Sequence, residues 1–302
     1  MNASSADSET WQHLPERITK AASRQMYYTI RLLADRDRKQ DAFRAYAYFR
    51  WLDDRLDGDT PNEDRCSFMR HQQCLLDTLY HDEHPNDLCP EERMVADLIR
   101  RHPDSETGLR AYICHLMAVM AFDAERRGRL ICERELADYT AHLAAGVTEA
   151  MHYFIGHGGA APQGRERYLA VTGAHVTHML RDTVEDIAAG YYNIPVEFLD
   201  SHDLDPRDIH SSGYRLWVKN RVQLARQCFE AGRCYLRQVQ SLRCRLSGFA
   251  YMARFEGVLN TIEREDYQLR PQYLERKTWR GTLKTGWSAS VLMLQSLPGG
   301  HS

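Results

Sequence analysis

The stretch His178 to Pro195, HMLRDTVEDIAAGYYNIP, decides the fold class. Asp182 and Asp186 stand four residues apart, so on a helix they share one face. That stripe continues backward through His178, His175, Thr172 and Tyr168. The opposite side carries Leu169, Val176, Leu180, Val184 and Ile187, an apolar stripe suited to packing. Such a helix has one face for a core and one polar face for something else.

Outward from this segment, apolar residues recur at three- and four-residue spacing from Glu16 almost to Tyr251, and no run of alternating β-branched residues competes with them. The class is all-α. The pattern predicts helices over 15–34, 38–57, 62–80, 91–102, 106–127, 133–157, 165–189, 213–241 and 246–264. Breaks fall at Gly58-Asp59-Thr60-Pro61, at His84-Pro85-Asn86-Asp87, at Gly156 to Gly164, and from Ile194-Pro195 to Asp205-Pro206. These connections are short and no Ser/Gly/Pro-rich linker divides the chain, so one helical domain over 14–297 is expected after a loose, polar N-terminus, residues 1–13.

The 302 residues are 43% hydrophobic and 27% charged, the balance of a globular protein, which excludes wholesale disorder. A formal charge of -3 supplies no field to gather nucleic acid, so an anionic ligand must be held locally. Eight scattered cysteines without a Cys-x-x-Cys pair read as reduced thiols of a cytosolic protein. No leader or spanning segment is read. The run Trp287 to Leu297 is interrupted by Ser288, Ser290 and Gln295 and is shorter than the roughly 20 residues a spanning helix needs. A cytoplasmic protein is expected, with peripheral contact to a membrane still open and no oligomeric state fixed.

A second acidic segment precedes the first. In Tyr46 to Asp59, YAYFRWLDDRLDGD, Asp53 and Asp57 are again four apart, on a stripe that reaches back through Arg50 and Phe49 to Tyr46. Two carboxylates about 6 Å apart repel by roughly 0.7 kcal/mol in water and roughly 3 kcal/mol at an effective dielectric near 20. Two such pairs on enclosed faces call for a cation, and Mg²⁺ favours one or two carboxylates completed by phosphate oxygens. The plain alternative is surface ion pairing of Arg50 with Asp54 and of Arg181 with Glu185, at about 0.3–0.5 kcal/mol each.

Together these segments resemble the squalene/phytoene synthase family, the head-to-head isoprenyl diphosphate synthases. Tyr27-Tyr28 with Arg31-Leu32-Leu33 is similar to an early aromatic and basic helix, and Tyr46 to Arg50 followed by DDRLD to the first Asp-x-x-x-Asp motif. The stretch with Asp123, Tyr139 and Ala145-Gly146 resembles the central helices, LRDTVEDIAAGYYNIP the second signature, and Ile262-Glu263 to Tyr267 with Arg276-Lys277 the closing region. The resemblance implies a single isoprenoid-synthase-like bundle around a central cavity, with Asp53, Asp57, Asp182 and Asp186 as catalytic Mg²⁺ and diphosphate contacts. It implies Arg50, Arg181, His175 and His178 around the substrate, and aromatic walls to which Tyr28 and Tyr46 contribute. The implied reaction joins two prenyl diphosphates, farnesyl or geranylgeranyl, through a cyclopropyl diphosphate, with NADPH needed if the product is squalene-like. A relative without synthase activity, binding lipid or serving assembly, is the alternative.

The second signature departs from the family pattern. His178 stands where Asn is usual, His175 where Gln is usual, and Tyr191 where Arg precedes a Tyr-Leu-Pro turn. Imidazole favours softer ions than Mg²⁺ when neutral, and becomes a diphosphate-binding cation if the site raises its pKa.

Overall fold

The computed structural model describes residues 3–58, 61–81, 85–102, 108–157 and 159–273, with side chains from residue 13 onward. Among the described residues are eleven helices and no strand, so the fold is all-α as expected. Ile131 and Pro195 make one isolated parallel bridge. The expected features at Asp59-Thr60, His84, Arg276-Lys277 and 287–297 lie outside the described residues.

The helices are α1 (Ala3–Ala22), α2 (Arg24–Leu33), α3 (Lys39–Asp57), α4 (Asn62–Tyr80), α5 (Pro90–Arg101) and α6 (Gly108–Arg126), followed by α7 (Glu133–Phe154), α8 (Glu166–Ala189), α9 (Val196–His202), α10 (Ser212–Gln238) and α11 (Leu242–Arg264). The single helix expected over 15–34 is two. Ser23 takes an extended backbone and its hydroxyl accepts from the Met26 amide at 3.2 Å, so the serine caps α2 instead of continuing α1. α1 begins at Ala3, inside the segment expected to be loose. α9 occupies part of the expected break between Ile194 and Pro206: Pro195 sits at its N-cap, and Asp203 ends it in the left-handed region.

The chain divides into two compact units, Met1–Glu125 with Glu149–His157, and Arg126–Thr148 with Gly158–Ser302. In the first unit α3 is the central element, packed against α1, α2 and α5. Its buried face presents Phe43, Ala47, Tyr48, Leu52 and Leu56, and α5 buries Val95, Leu98 and Ile99. Each large side chain so buried contributes roughly 1.5–3 kcal/mol. One polar chain crosses this core. The Tyr48 hydroxyl donates to Gln72 Oε1 at 3.1 Å, and Gln72 Nε2 donates to Glu92 Oε1 at 2.7 Å.

In the second unit α8, α10 and α11 pack on one another. The approach of α8 to α10 is close enough to demand glycine on both. A Cβ on Gly173 would meet Phe229 Cδ1 at 2.9 Å and the Ala225 carbonyl oxygen at 3.0 Å, and one on Gly232 would meet the Ala170 backbone at 2.8 Å. Gly190, at φ 88°, ends α8 in a left-handed cap that ordinary side chains disfavour.

Candidate active site

Each acidic motif is built within its own unit. In the first, Leu52 and Leu56 anchor α3 and place Asp53 at the edge of the buried face, while Asp57, one turn on, is exposed. Arg50 Nη1 donates to Asp53 Oδ2 at 3.0 Å, and its other arm holds Asp54. The surface pairing of Arg50 with Asp54 therefore exists, and the same guanidinium also serves Asp53. Although 43% of the Asp53 side chain is accessible, protein crowds it like a group in a recess. Burial and then the charge of Asp57 push its carboxyl up to about 6, with Asp123 and Asp54 adding and Arg50 opposing.

Tyr46 stands one turn before Arg50, half-buried. Its phenol is raised by burial first, with Arg50 opposing, and is hydrogen bonded to Ser23. Tyr28, the other expected wall residue, keeps 53% of its surface exposed. Tyr27 is the inward ring of that pair, 5.8 Å from Phe43.

In the second unit the polar stripe of α8 splits by environment. Asp182 accepts from Arg181 at both oxygens, at 2.5 Å each, and pairs with His178 Nε2 at 2.9 Å. Burial alone would raise this carboxyl, but the hydrogen bonds from Arg181 and His178 outweigh it and hold the group well below the usual carboxylate range. The i,i+4 pairing of Arg181 with Glu185 is thus replaced by a contact between neighbours. Asp186 Oδ2 accepts from Asn193 Nδ2 at 2.7 Å, and Asn193 Oδ1 accepts from Arg126 Nη1 at 2.8 Å.

The two histidines differ. His178 keeps 49% of its side chain accessible and faces Asp182. His175 is buried, 4% exposed, and neither ring nitrogen has a hydrogen-bond partner. Burial first, then the positive fields of His178, Arg221 and Arg126, lower its pKa well below the ordinary value. The condition under which His175 would be a diphosphate-binding cation, a raised pKa, is therefore not met, and the neutral ring is favoured. Tyr191, in the position where the resemblance places Arg, lies with its ring 4.9 Å from the Arg126 guanidinium carbon. Arg126 also covers Tyr139, at 4.8 Å. No motif pointed to Arg126 or to Arg221, because their places depend on how α6 ends and how α10 lies on α8.

Among the described residues no three His, Cys, Asp or Glu side chains gather into a ready metal cage. Mg²⁺ does not need one, since it retains water and takes phosphate oxygens beside one or two carboxylates. The carboxylate-rich neighbourhood of Asp53, where ionisation is opposed by Asp57 and Asp123 and eased by Arg50, fits that ion bound with diphosphate.

An all-α chain with two paired-aspartate helices has the layout of an isoprenoid-synthase-type bundle. The model of the family described as squalene/phytoene synthase matches residues 19–282, and the chain belongs to that family. Two solved structures share its fold. The squalene synthase HpnC from Alicyclobacillus acidocaldarius superposes with a TM-score of 0.68 at 18% identity, over 86% of this chain and 96% of that one. A dehydrosqualene synthase in complex with ligand superposes with a TM-score of 0.73 at 14% identity, over 96% and 99%. No curated protein matches the chain. Among the described residues no helix is long and apolar enough to cross a membrane.

Proposed function

We propose that the chain catalyses Mg²⁺-dependent head-to-head condensation of two prenyl diphosphates, farnesyl or geranylgeranyl, to a squalene-like or phytoene-like product. The observation that carries this reading is the Asp53 carboxyl, pushed up to about 6 by burial and by its acidic neighbours. An ionised carboxylate in that setting is relieved by a cation. Asp53 and Asp57 are the oxygen donors assigned to a cation in the first unit, and Asp182 and Asp186 those assigned in the second.

When bound, Mg²⁺ neutralises the leaving diphosphate as the carbon–oxygen bond breaks. Arg50 orients Asp53 through its 3.0 Å hydrogen bond. Arg181 fixes the Asp182 carboxylate in place and keeps it ionised. Overall, the first diphosphate leaves as the two chains join with loss of one proton. The second leaves with loss of another proton, or with hydride gained from NADPH when the product is squalene-like. Aromatic side chains can face the allylic cation without attacking it, and Tyr46 is the residue assigned here, with Tyr28 at the more open end.

The closure of both Asp182 oxygens by Arg181 favours a second reading, a relative that binds prenyl lipid or serves an assembly without turning it over. Incubation with Mg²⁺ and either prenyl diphosphate, with and without NADPH, separates the two by mass spectrometry. A C30 or C40 product that disappears with EDTA and in Asp53→Ala is expected. Thermal stabilisation by substrate without any product establishes the second reading instead, and neither product nor stabilisation refutes both. Peripheral membrane contact is part of the proposal, since substrate tails and product are lipids; sedimentation with vesicles tests it.

A further inference from the structure

The outward face of α2 has an apolar centre, where a bundle helix turned to water is normally polar. Tyr27 and Ile30 point inward. Tyr28 and Leu32, one turn apart, share the opposite side and keep 53% and 71% of their surface exposed. With Met26, 37% exposed, this ten-residue helix carries three of the seven large hydrophobic side chains left open among the described residues. Single exposed hydrophobics are ordinary, but a cluster on one short element marks a contact surface.

Cations rim that face. Arg24 stands one turn before Tyr28, Arg31 precedes Leu32, and both are exposed. The Lys20 ammonium of α1 lies 5.4 Å from the Tyr27 ring and the Arg31 guanidinium carbon 5.9 Å from it, while Tyr27 meets Tyr28 edge-on at 5.2 Å. Over residues 17–36 the chain carries five exposed cations, Arg17, Lys20, Arg24, Arg31 and Arg36, against the single carboxylate of Asp35. That carboxylate is buried and accepts from the amides of Gly156 and His157. Glu16 and Asp37 flank the segment, and Glu16 reaches Arg31 at 3.4 Å. In a chain of net charge -3, so basic a segment is a local exception.

Apolar side chains ringed by charges of one sign suit an anionic bilayer. Leu32 and the Tyr28 ring can enter the boundary between headgroups and acyl chains, where a phenol still finds water. Lys and Arg stems lie along the apolar layer while their heads meet lipid phosphates, each strengthening adsorption about fivefold. We infer that α2, with Lys20 of α1, is the surface by which the chain docks on membranes containing anionic lipid. This names the surface and the lipid class of the peripheral contact proposed above, and it rests on that reading for its purpose only. Ser23, the cap of α2, is hydrogen bonded to Tyr46. The docking helix therefore adjoins the ring assigned to the prenyl cation.

Co-sedimentation of the full chain with vesicles tests it, phosphatidylcholine alone in one arm and phosphatidylcholine mixed with phosphatidylglycerol in the other. Binding to the mixed vesicles is expected to be about tenfold tighter or more. Leu32→Ser and Arg24→Gln are each expected to weaken it about fivefold. Leu242→Ser and Arg134→Gln remove an apolar side chain and a cation that are 49% and 90% exposed in the other unit, and are expected to leave it unchanged. No binding, equal binding to both vesicles, no loss in Leu32→Ser and Arg24→Gln, or equal losses in the two control variants overturns the inference. Self-association of the lipid-free chain that Leu32→Ser abolishes also overturns it, because the face then belongs to a second copy. Leu32 projects into solvent, so Leu32→Ser is expected to melt as the wild type does; should it not, Arg24→Gln and Lys20→Gln decide. Vesicle binding without product ends the condensation reading and leaves this one standing, and product formed in detergent without vesicle binding does the reverse.

Discussion

Arg181 and Asp182, neighbours in sequence, are joined by two hydrogen bonds of 2.5 Å, with the guanidinium buried and the carboxylate 22% accessible. Consecutive helical side chains normally diverge. Here the long Arg181 stem folds back around its neighbour, and His178 closes the carboxylate from the previous turn.

Removing that guanidinium leaves a partly buried carboxylate with only His178. Arg181→Leu is expected to destabilise the fold by about 2–4 kcal/mol, the lower side of what breaking a buried pair costs because Asp182 keeps some water. The pH dependence has a definite sign. Asp182 is held below its unfolded value, so its contribution is present above pH about 4 and is lost as pH falls through the lower folded value. The gap between wild type and variant in urea unfolding should be full at pH 7 and shrink below pH 4.

Asp53 has the opposite sign. Its carboxyl is pushed up to about 6 in the fold, so ionising it opposes folding. That penalty is absent below pH about 4, grows as pH rises, and is complete above about 6. Asp53→Asn is therefore expected to be more stable than wild type at pH 7, by on the order of 1 kcal/mol once its exposure is allowed for, and indistinguishable at pH 4. The same variant should lose Mg²⁺-dependent product formation. Melting at the two pH values, alongside the product assay, checks both halves.

The contact of α8 with α10 yields a paired test. An added methyl at Gly232 collides with the Ala170 backbone at 2.8 Å, where no flexible side chain can yield, whereas Gly257 has nothing within 4 Å. Gly232→Ala should lose about 1–3 kcal/mol by overpacking. Gly257→Ala, inside α11, should gain about 0.5–1 kcal/mol through helix propensity. Equal melting temperatures would show that the two helices are not pressed together.

Most of the architecture was legible because helix periodicity is a local signal: α3, α4 and α8 fall within a residue or so of the expected ranges. The split at Ser23 was not, since a serine within an apolar period reads as helix unless its hydroxyl is known to turn back on Met26. α9 was hidden by its seven residues, too few to show a period. At the site, spacing placed the aspartates on helix faces, and Arg50 beside them. It could not separate His175 from His178, three residues apart on one stripe, because one is covered by Tyr139 and the other opens toward Asp182. Nor could it pair Arg126 with Asn193, 67 residues away.

The Tyr48–Gln72–Glu92 chain makes the last prediction. Burial would raise Glu92, but hydrogen bonds from Gln72 and the Cys89 amide prevail and hold it below the usual glutamate range. Gln72→Leu removes that donor and leaves the Tyr48 hydroxyl without its acceptor, at an expected loss of about 2–4 kcal/mol. Glu92 contributes stability above its unfolded value near 4.3 that fades as pH falls through the lower folded value. With Gln72 gone the folded value rises, so the acid-unfolding midpoint of Gln72→Leu should move to higher pH. Adding Glu92→Leu should recover part of the loss, because an apolar pair of similar shape needs no partner; a double variant less stable than Gln72→Leu alone would show that Glu92 is held chiefly by the Cys89 cap of α5.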